Sequence, residues 1–184
     1  YTLLLVDDEE DVIEVIERKV SWEQIGFHVV GHAGNGFKAL EMMEDMQPDV
    51  VMTDIRMPYM DGLELCSNIR QRFPATKLLL FTGFDDFEYA KEAVHLEIEE
   101  YILKPLNLAE ITEVFKKLKT KLDDELNEKK NTDILKQYYA ASLPVLQSNF
   151  YTTLIEGRIP ENELGRYMRD YKIVLEGPYY CCII

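Results

Sequence analysis

Asp54 closes a short apolar run, Val50-Val51-Met52-Thr53-Asp54, and Pro58 and Gly62 break the chain soon after it. Apolar, β-branched residues in succession are the pattern of a strand buried on both faces. A carboxylate at the carboxyl end of such a strand stands where open parallel α/β sheets place their ligands. It either does chemistry there or caps the next helix, and Asp61, just ahead of the helical pattern from Leu63, is the more natural cap. Other strand-like runs end in the same way. Asp7 and Asp8 follow residues 3–6, Thr82 follows residues 78–81, and Lys104 follows residues 101–103. In a parallel sheet all these ends lie on one edge, and three carboxylates there raise one another's pKa unless a cation is bound. A ligand set of oxygens alone, without histidine or thiolate, favours Mg²⁺. The Thr82 hydroxyl and Lys104 ammonium would complete a pocket for a tetrahedral dianion. Phosphoryl transfer needs such parts: a nucleophile, a metal and fixed positive charge. A carboxylate can itself be the nucleophile, giving an acyl phosphate.

The elements that must position these groups alternate regularly. Strands are expected at residues 3–6, 27–30, 50–52, 78–81 and 101–103, each followed by apolar residues at helical spacing such as Val12, Ile13, Ile16 and Val20. This predicts an α/β fold, a doubly wound five-stranded parallel sheet with helices on both faces and right-handed crossovers. From Leu108 the apolar residues Leu108, Ile111, Phe115, Leu118 and Leu122 repeat three, four, three, four, a heptad seam. Continuing to Leu126, this predicts one long helix over residues 108–126. Its apolar face would either pair with a second copy or fold back on Tyr138, Tyr139 and Leu143 as a hairpin. A charged stretch over residues 123–133 precedes renewed helical spacing at Leu135, Tyr139, Leu143 and Leu146. Pro144 predicts a kink or a new helix start. Gly157 suits a helix C-cap, residues 160–171 read as a further helix, and residues 178–184 as a strand.

Composition bounds the function. The 184 residues are 47% apolar and carry a net charge of −14. Residues 1–122 hold 24 acidic and 13 basic side chains, the remainder 10 and 7. Neither part has the basic excess that phosphate-backbone binding requires, so this chain alone is not expected to bind DNA. No apolar run reaches the length of a membrane span. Cys66, Cys181 and Cys182 offer neither a disulfide framework nor metal-ligand spacing, and the chain reads as cytoplasmic. It begins with Tyr1 rather than Met and stops on the apolar residues 179–184, which suggests a fragment.

Together, Asp7, Asp8, Asp54, Thr82 and Lys104 resemble the site of a two-component receiver domain, the CheY-like fold among the doubly wound sheets. The resemblance covers residues 1–122. It implies that Asp54 is the phosphoacceptor, that Asp8 ligates Mg²⁺ directly and Asp7 through water, and that the Arg56 backbone carbonyl completes the metal shell. It implies Thr82 as the switch hydroxyl, Tyr101 as the aromatic that rotates with it, and Lys104 as the phosphate-binding lysine before a cis Pro105. Taken singly, each residue has an ordinary reading: Asp7 and Asp8 as helix-start charges, Thr82-Gly83 as a turn, Lys104 as a solvated lysine, Tyr101 as core. His28, His32 and His95 read as isolated, and Trp22 as a core or rim aromatic.

The phrases Gly83-Phe84-Asp85-Asp86-Phe87-Glu88-Tyr89-Ala90 and Ser21-Trp22-Glu23-Gln24-Ile25-Gly26-Phe27, with the segment over residues 154–173, are similar to the YesN-like response regulators. That group carries an AraC-type helix-turn-helix output after a linker helix and a small middle domain, and no such output is present in this chain. The resemblance implies a receiver at residues 1–122, a helical linker at 123–157 and the start of a middle domain at 158–184. It implies phosphorylation of Asp54 by a sensor histidine kinase, controlling DNA binding by a C-terminal domain. An enzymatic or protein-binding output, or a phosphorelay intermediate, is the alternative. No enzyme activity beyond the chain's own phosphorylation and dephosphorylation is expected. A homodimer through residues 108–126 is expected, and no membrane association.

Overall fold

The computed structural model describes residues 1–83, 87–105 and 107–174, with backbone alone at Phe87, Glu88, Ala90 and Glu92. The expected strand at residues 178–184 lies outside the described residues. The chain divides into two compact units, Tyr1–Asp123 and Asp124–Ile184.

In the first unit the five strands are β1 (Thr2–Val6), β2 (His28–Ala33), β3 (Val50–Thr53), β4 (Lys77–Thr82) and β5 (Glu100–Leu103). They pair in parallel in the order β2-β1-β3-β4-β5, so the chain winds outward in both directions from β1. The helices between them are α1 (Glu10–Lys19), α2 (Trp22–Ile25), α3 (Gly36–Met46), α4 (Gly62–Arg72) and α5 (Phe87–His95). The strand side chains alternate between two apolar cores. Leu4, Val6, Val51, Leu78 and Leu80 pack with Leu40, Met43, Leu65 and Ile69 from α3 and α4. Leu3, Leu5, Val50, Met52, Leu79 and Phe81 pack with Ile13 and Ile16 of α1 and with Ile111, Phe115 and Leu118. A strand lined with apolar residues on both pleats has to be covered on both faces, which gives the predicted doubly wound sheet.

Local chemistry sets the helix ends. Asn35 and Asp61 cap α3 and α4, accepting from the N–H of Lys38 at 3.0 Å and of Glu64 at 2.8 Å. Glu10 and Asp11 open α1 and Arg18 and Lys19 close it, complementing the helix dipole. The single turn α2 was too short to leave a periodic signal. Gly26 ends it at φ +85°, with the Phe27 N–H donating to the Trp22 carbonyl at 3.0 Å. Phe27 then points into the core against Phe115, their rings meeting edge-on at 5.0 Å. The second strand therefore starts one residue later than expected and runs on to Ala33.

Helix α6 runs over Leu108–Ile155 without a break at Pro144. The expected long helix is thus present, whereas the hairpin and the new helix start are not. The heptad seam is also corrected. Ile111 and Phe115 are fully buried, Leu118 nearly so, and Leu108 and Leu122 pack against the same core. These residues cover their own sheet, so they are not the surface that would meet a second copy. Tyr1 and Lys119 both bond Asp123, at 2.7 and 2.6 Å, tying the first strand to the last turn of α6 in this unit.

In the second unit α7 (Glu161–Asp170) packs on one side of α6. Phe150 is buried among Tyr151, Tyr167 and Tyr171, whose ring centroids lie 5.6 to 6.4 Å from its own. Gln147 donates to the Tyr171 carbonyl at 2.9 Å, and the Tyr139 hydroxyl to that of Asp170. Gly157, at φ +67°, caps α6 as expected, with the Arg158 N–H reaching back to the Thr153 carbonyl at 3.0 Å. No helix among the described residues is long and apolar enough to cross a membrane.

Candidate functional site

The sheet hydrogen bonds continue one residue beyond the strands and fix the ends that carry chemistry. The Asp54 N–H donates to the Val6 carbonyl at 2.8 Å, that of Asp7 to Ala33 at 3.0 Å, and that of Lys104 to Thr82 at 2.7 Å. Asp54, Asp7 and Lys104 therefore inherit the rigidity of β3, β1 and β5. The start of α4 is drawn in beneath Asp54, with the Gly62 N–H donating to the Ile55 carbonyl at 2.8 Å. A Cβ at residue 62 would stand 1.9 Å from the Asp54 carbonyl oxygen, so only glycine permits this approach.

At the carboxyl edge, carboxylate oxygens of Asp7, Asp8 and Asp54 lie within 4.8 Å of one another. Asp7 is fully buried, Asp54 nearly so, and Asp8 is exposed. The Lys104 Nζ lies 2.9 Å from Asp7 Oδ2, 3.6 Å from Asp54 Oδ1 and 3.8 Å from Glu9 Oε1. The Glu9 N–H donates to Asp7 Oδ1 at 2.8 Å, so both Asp7 oxygens are engaged. Asp54 Oδ1 is buried without a hydrogen-bond partner. Burial pushes the Asp54 pKa up, and although the Lys104 ammonium and the Ile55 N–H oppose this, the charges of Asp7 and Asp8 reinforce it. For Lys104, burial works against the charge. The hydrogen bond to Asp7 and the fields of Asp54, Asp7 and Glu9 outweigh it and hold the ammonium above the ordinary lysine range.

The oxygen-only donor set, with one carboxylate oxygen buried and unpartnered, fits a hard divalent cation such as Mg²⁺. Thr82 is fully buried at the end of β4. Tyr101 is half-buried against the core beneath α3, α4 and α5, on the far side of β5 from Ile102. The Arg56 side chain is exposed, its guanidinium 5.9 Å from the Tyr89 ring centre. The Lys104-Pro105 peptide is cis, as expected. Of the isolated histidines, His28 pairs through Nδ1 with Glu23 at 2.9 Å on the surface, and Trp22 is core.

Two participants escaped the sequence reading. Glu9 carries no signal of its own in the sequence, and only the fold turns its carboxylate toward Lys104. Gly62 reads in the sequence only as a chain break, and its close approach to the Asp54 carbonyl is visible in the fold alone.

Residues 3–116 match the response regulator receiver domain. The chain is 37% identical over 136 residues to the transcriptional regulatory protein YesN of Bacillus subtilis, covering 74% of this chain and 37% of YesN. It is 25% identical over 163 residues to the transcriptional regulatory protein HptR of Staphylococcus aureus, covering 88% and 64% of the two. The chain therefore spans less than two thirds of the length of either relative. Among solved structures, the receiver domain of AraT, a response regulator from Geobacillus stearothermophilus, superposes with a TM-score of 0.65 at 36% identity, covering 68% of this chain and 98% of that one.

Proposed function

The chain belongs to the response regulator receiver domain family of two-component systems, and from that premise we propose that Asp54 is its phosphoacceptor. The observation that carries this reading is the Asp54 Oδ1 atom, buried, without a hydrogen-bond partner and 3.6 Å from the Lys104 ammonium. A carboxylate oxygen of Asp54 attacks the phosphorus of a phosphohistidine on the partner kinase. The P–N bond breaks, the imidazole leaves and takes a proton from solvent, and a mixed anhydride remains on Asp54. Asp7, Asp8, Asp54 and the Arg56 backbone carbonyl would hold Mg²⁺, which when bound would supply positive charge to offset that of the transferred phosphoryl group. Lys104 and the Thr82 hydroxyl clamp the phosphoryl oxygens. Their movement, followed by Tyr101, shifts the population of the face formed by α5, β5 and the start of α6.

On this reading residues 1–122 are the receiver, 123–157 a helical linker and 158–184 the start of a middle domain. The output on this reading is DNA binding by a C-terminal domain of the parent protein; the names of YesN and HptR support its transcriptional character. The protein acts in the cytoplasm, and its only catalysis is phosphorylation and dephosphorylation of Asp54. Incubation with a small phosphodonor and Mg²⁺ tests the core of this. Wild type gains one acid-stable, base-labile phosphoryl group and Asp54→Ala gains none, whereas equal labelling of the two removes the assignment.

A further inference from the structure

Glu9 stands at the N-cap of α1, where a side-chain oxygen ordinarily accepts from one of the helix's free N–H groups. Its side chain accepts from none of them. Only its backbone serves the helix, the carbonyl accepting from the N–H groups of Val12 and Ile13 at 3.0 and 3.3 Å. The carboxylate goes to the pocket instead, with Oε1 3.8 Å from Lys104 Nζ. It is 66% exposed, whereas the side chains of Asp7 and Asp54, the other anions beside Lys104, are 0% and 8% exposed. Glu9 therefore lies on the solvent side of the ammonium, where a phosphoryl donor must enter. Asp7, Asp8 and Asp54 converge on the cation site. Glu9 stands beside the charge that the donor's phosphoryl oxygens have to reach.

We propose that Glu9 sets which phosphoryl donors Asp54 accepts. It disfavours acyl phosphates, which approach as dianions, relative to N-phosphoryl donors whose leaving nitrogen carries a compensating proton. The inference rests on Asp54 as the phosphoacceptor. At 3.8 Å the Glu9–Lys104 contact is electrostatic and not a hydrogen bond, so an incoming phosphoryl oxygen displaces it without breaking one. What opposes entry is repulsion, and repulsion scales with the donor's charge. Two small donors separate the cases. In both, an Asp54 oxygen forms the new bond to phosphorus. In acetyl phosphate, a dianion, the P–O bond breaks and acetate leaves. In phosphoramidate, a monoanion at neutral pH, the P–N bond breaks and the nitrogen, already protonated, leaves as ammonia. One unit charge at about 6 Å in water changes a rate about threefold per unit of donor charge.

The test measures second-order rate constants for labelling of the whole chain by each donor at saturating Mg²⁺, with Asp54→Ala as the blank. Glu9→Gln should accelerate labelling about threefold with phosphoramidate and about tenfold with acetyl phosphate, so the preference for phosphoramidate falls about threefold. Glu9→Lys should move the preference a further step in the same direction. A change of packing alone would alter both donors equally. In about 1 M salt, where the screening length falls to roughly 3 Å, the preferences of wild type and both variants should converge. Glu14→Gln, on the same helix and paired with Arg18, should keep the wild-type preference. Equal acceleration with both donors overturns the proposal, as does an unchanged preference in Glu9→Gln or the same shift in Glu14→Gln. Labelling of the Asp54→Ala blank would instead remove the phosphoacceptor assignment, which the donor ratio does not touch.

Discussion

The Lys104 ammonium stands 2.9 Å from Asp7 Oδ2 and 3.6 Å from Asp54 Oδ1. The first is a hydrogen bond and the second an ion pair without one. This asymmetry divides the work between two neighbouring carboxylates. Asp7, held by one bond on each oxygen from Lys104 and the Glu9 N–H, is fixed as an anion with lone pairs to spare and suited to holding charge. Asp54 keeps an oxygen whose lone pairs are uncommitted, which a nucleophile requires. The ammonium also lies a short movement away from any group attached to Asp54.

Replacing Lys104 with methionine should lower the rate of Asp54 phosphorylation by a small phosphodonor about 10²-fold, the scale expected for removing one preorganised charge partner. The Lys104 pKa is raised, so its contribution to stability is fully present below the ordinary value of 10.5 and is lost as pH rises through the higher folded value. The difference in unfolding temperature between wild type and Lys104→Met should accordingly hold steady across the neutral range and close only in strong alkali. An unchanged labelling rate would remove Lys104 from the site.

Asp54→Asn should unfold at a higher temperature than wild type near neutral pH in the presence of a chelator. The folded pKa of Asp54 lies above its ordinary 3.8. The folded state therefore binds the proton more tightly than the unfolded state, and stability falls as pH rises from 3.8 through the folded value. Removing the charge relieves this, and the advantage should shrink in acid and vanish below 3.8. Glu99 works in the opposite sense. Burial alone would raise its pKa, but its hydrogen bond to Lys121 and the nearby charges of Lys121 and Lys77 lower it, so stability is lost as pH falls through its folded value. Both proteins share that loss, and it cancels in the difference. A less stable Asp54→Asn at neutral pH would contradict the assigned cost.

The five parallel strands and the places of Asp7, Asp8, Asp54, Thr82 and Lys104 at their carboxyl ends were legible in the sequence, because buried parallel strands are continuous apolar runs with polar ends; the order of the strands was not. That signal is one-dimensional. What escaped it depends on contacts distant in the chain. The apolar repeat from Leu108 to Leu122 has the same spacing whether it faces a sheet or a second helix, and only the fold shows that Phe115 meets Trp22 and Phe27. Pro144 removes one N–H from α6, yet the helix continues, since the turns on either side keep their own bonds. The turn α2 is made by Gly26 and by burial of Trp22 rather than by any periodic pattern.

Gly62→Ala should destabilise the first unit by about 1–3 kcal/mol, the scale of overpacking in a close-packed site. The added methyl would sit 1.9 Å from the Asp54 carbonyl oxygen, a backbone atom that cannot swing aside. Asp54 must shift with it, so phosphorylation should fall as well. Gly83→Ala is the control, since a Cβ there meets nothing within 4 Å. Denaturant titration giving the two variants equal stability would contradict the close approach.

Asp8→Asn should weaken Mg²⁺ binding while leaving the fold intact. Asp8 is exposed, yet one of its oxygens lies within 4.8 Å of those of Asp7 and Asp54. The asparagine keeps the shape and one carbonyl oxygen but removes a formal charge from the ligand set. Its loss also removes one of the charges that raise the Asp54 pKa, so the variant without metal should be as stable as wild type or slightly more so. A ligand that binds only the folded state stabilises it by RT ln(1 + [L]/Kd). The rise in unfolding temperature on adding Mg²⁺ should therefore be clear in wild type and much smaller in Asp8→Asn at the same concentration. Calorimetric titration reads the affinity directly, and Lys77→Gln, in the distant pair with Glu99, should leave it unchanged. Equal Mg²⁺ affinity in wild type and Asp8→Asn would exclude Asp8 from the metal site.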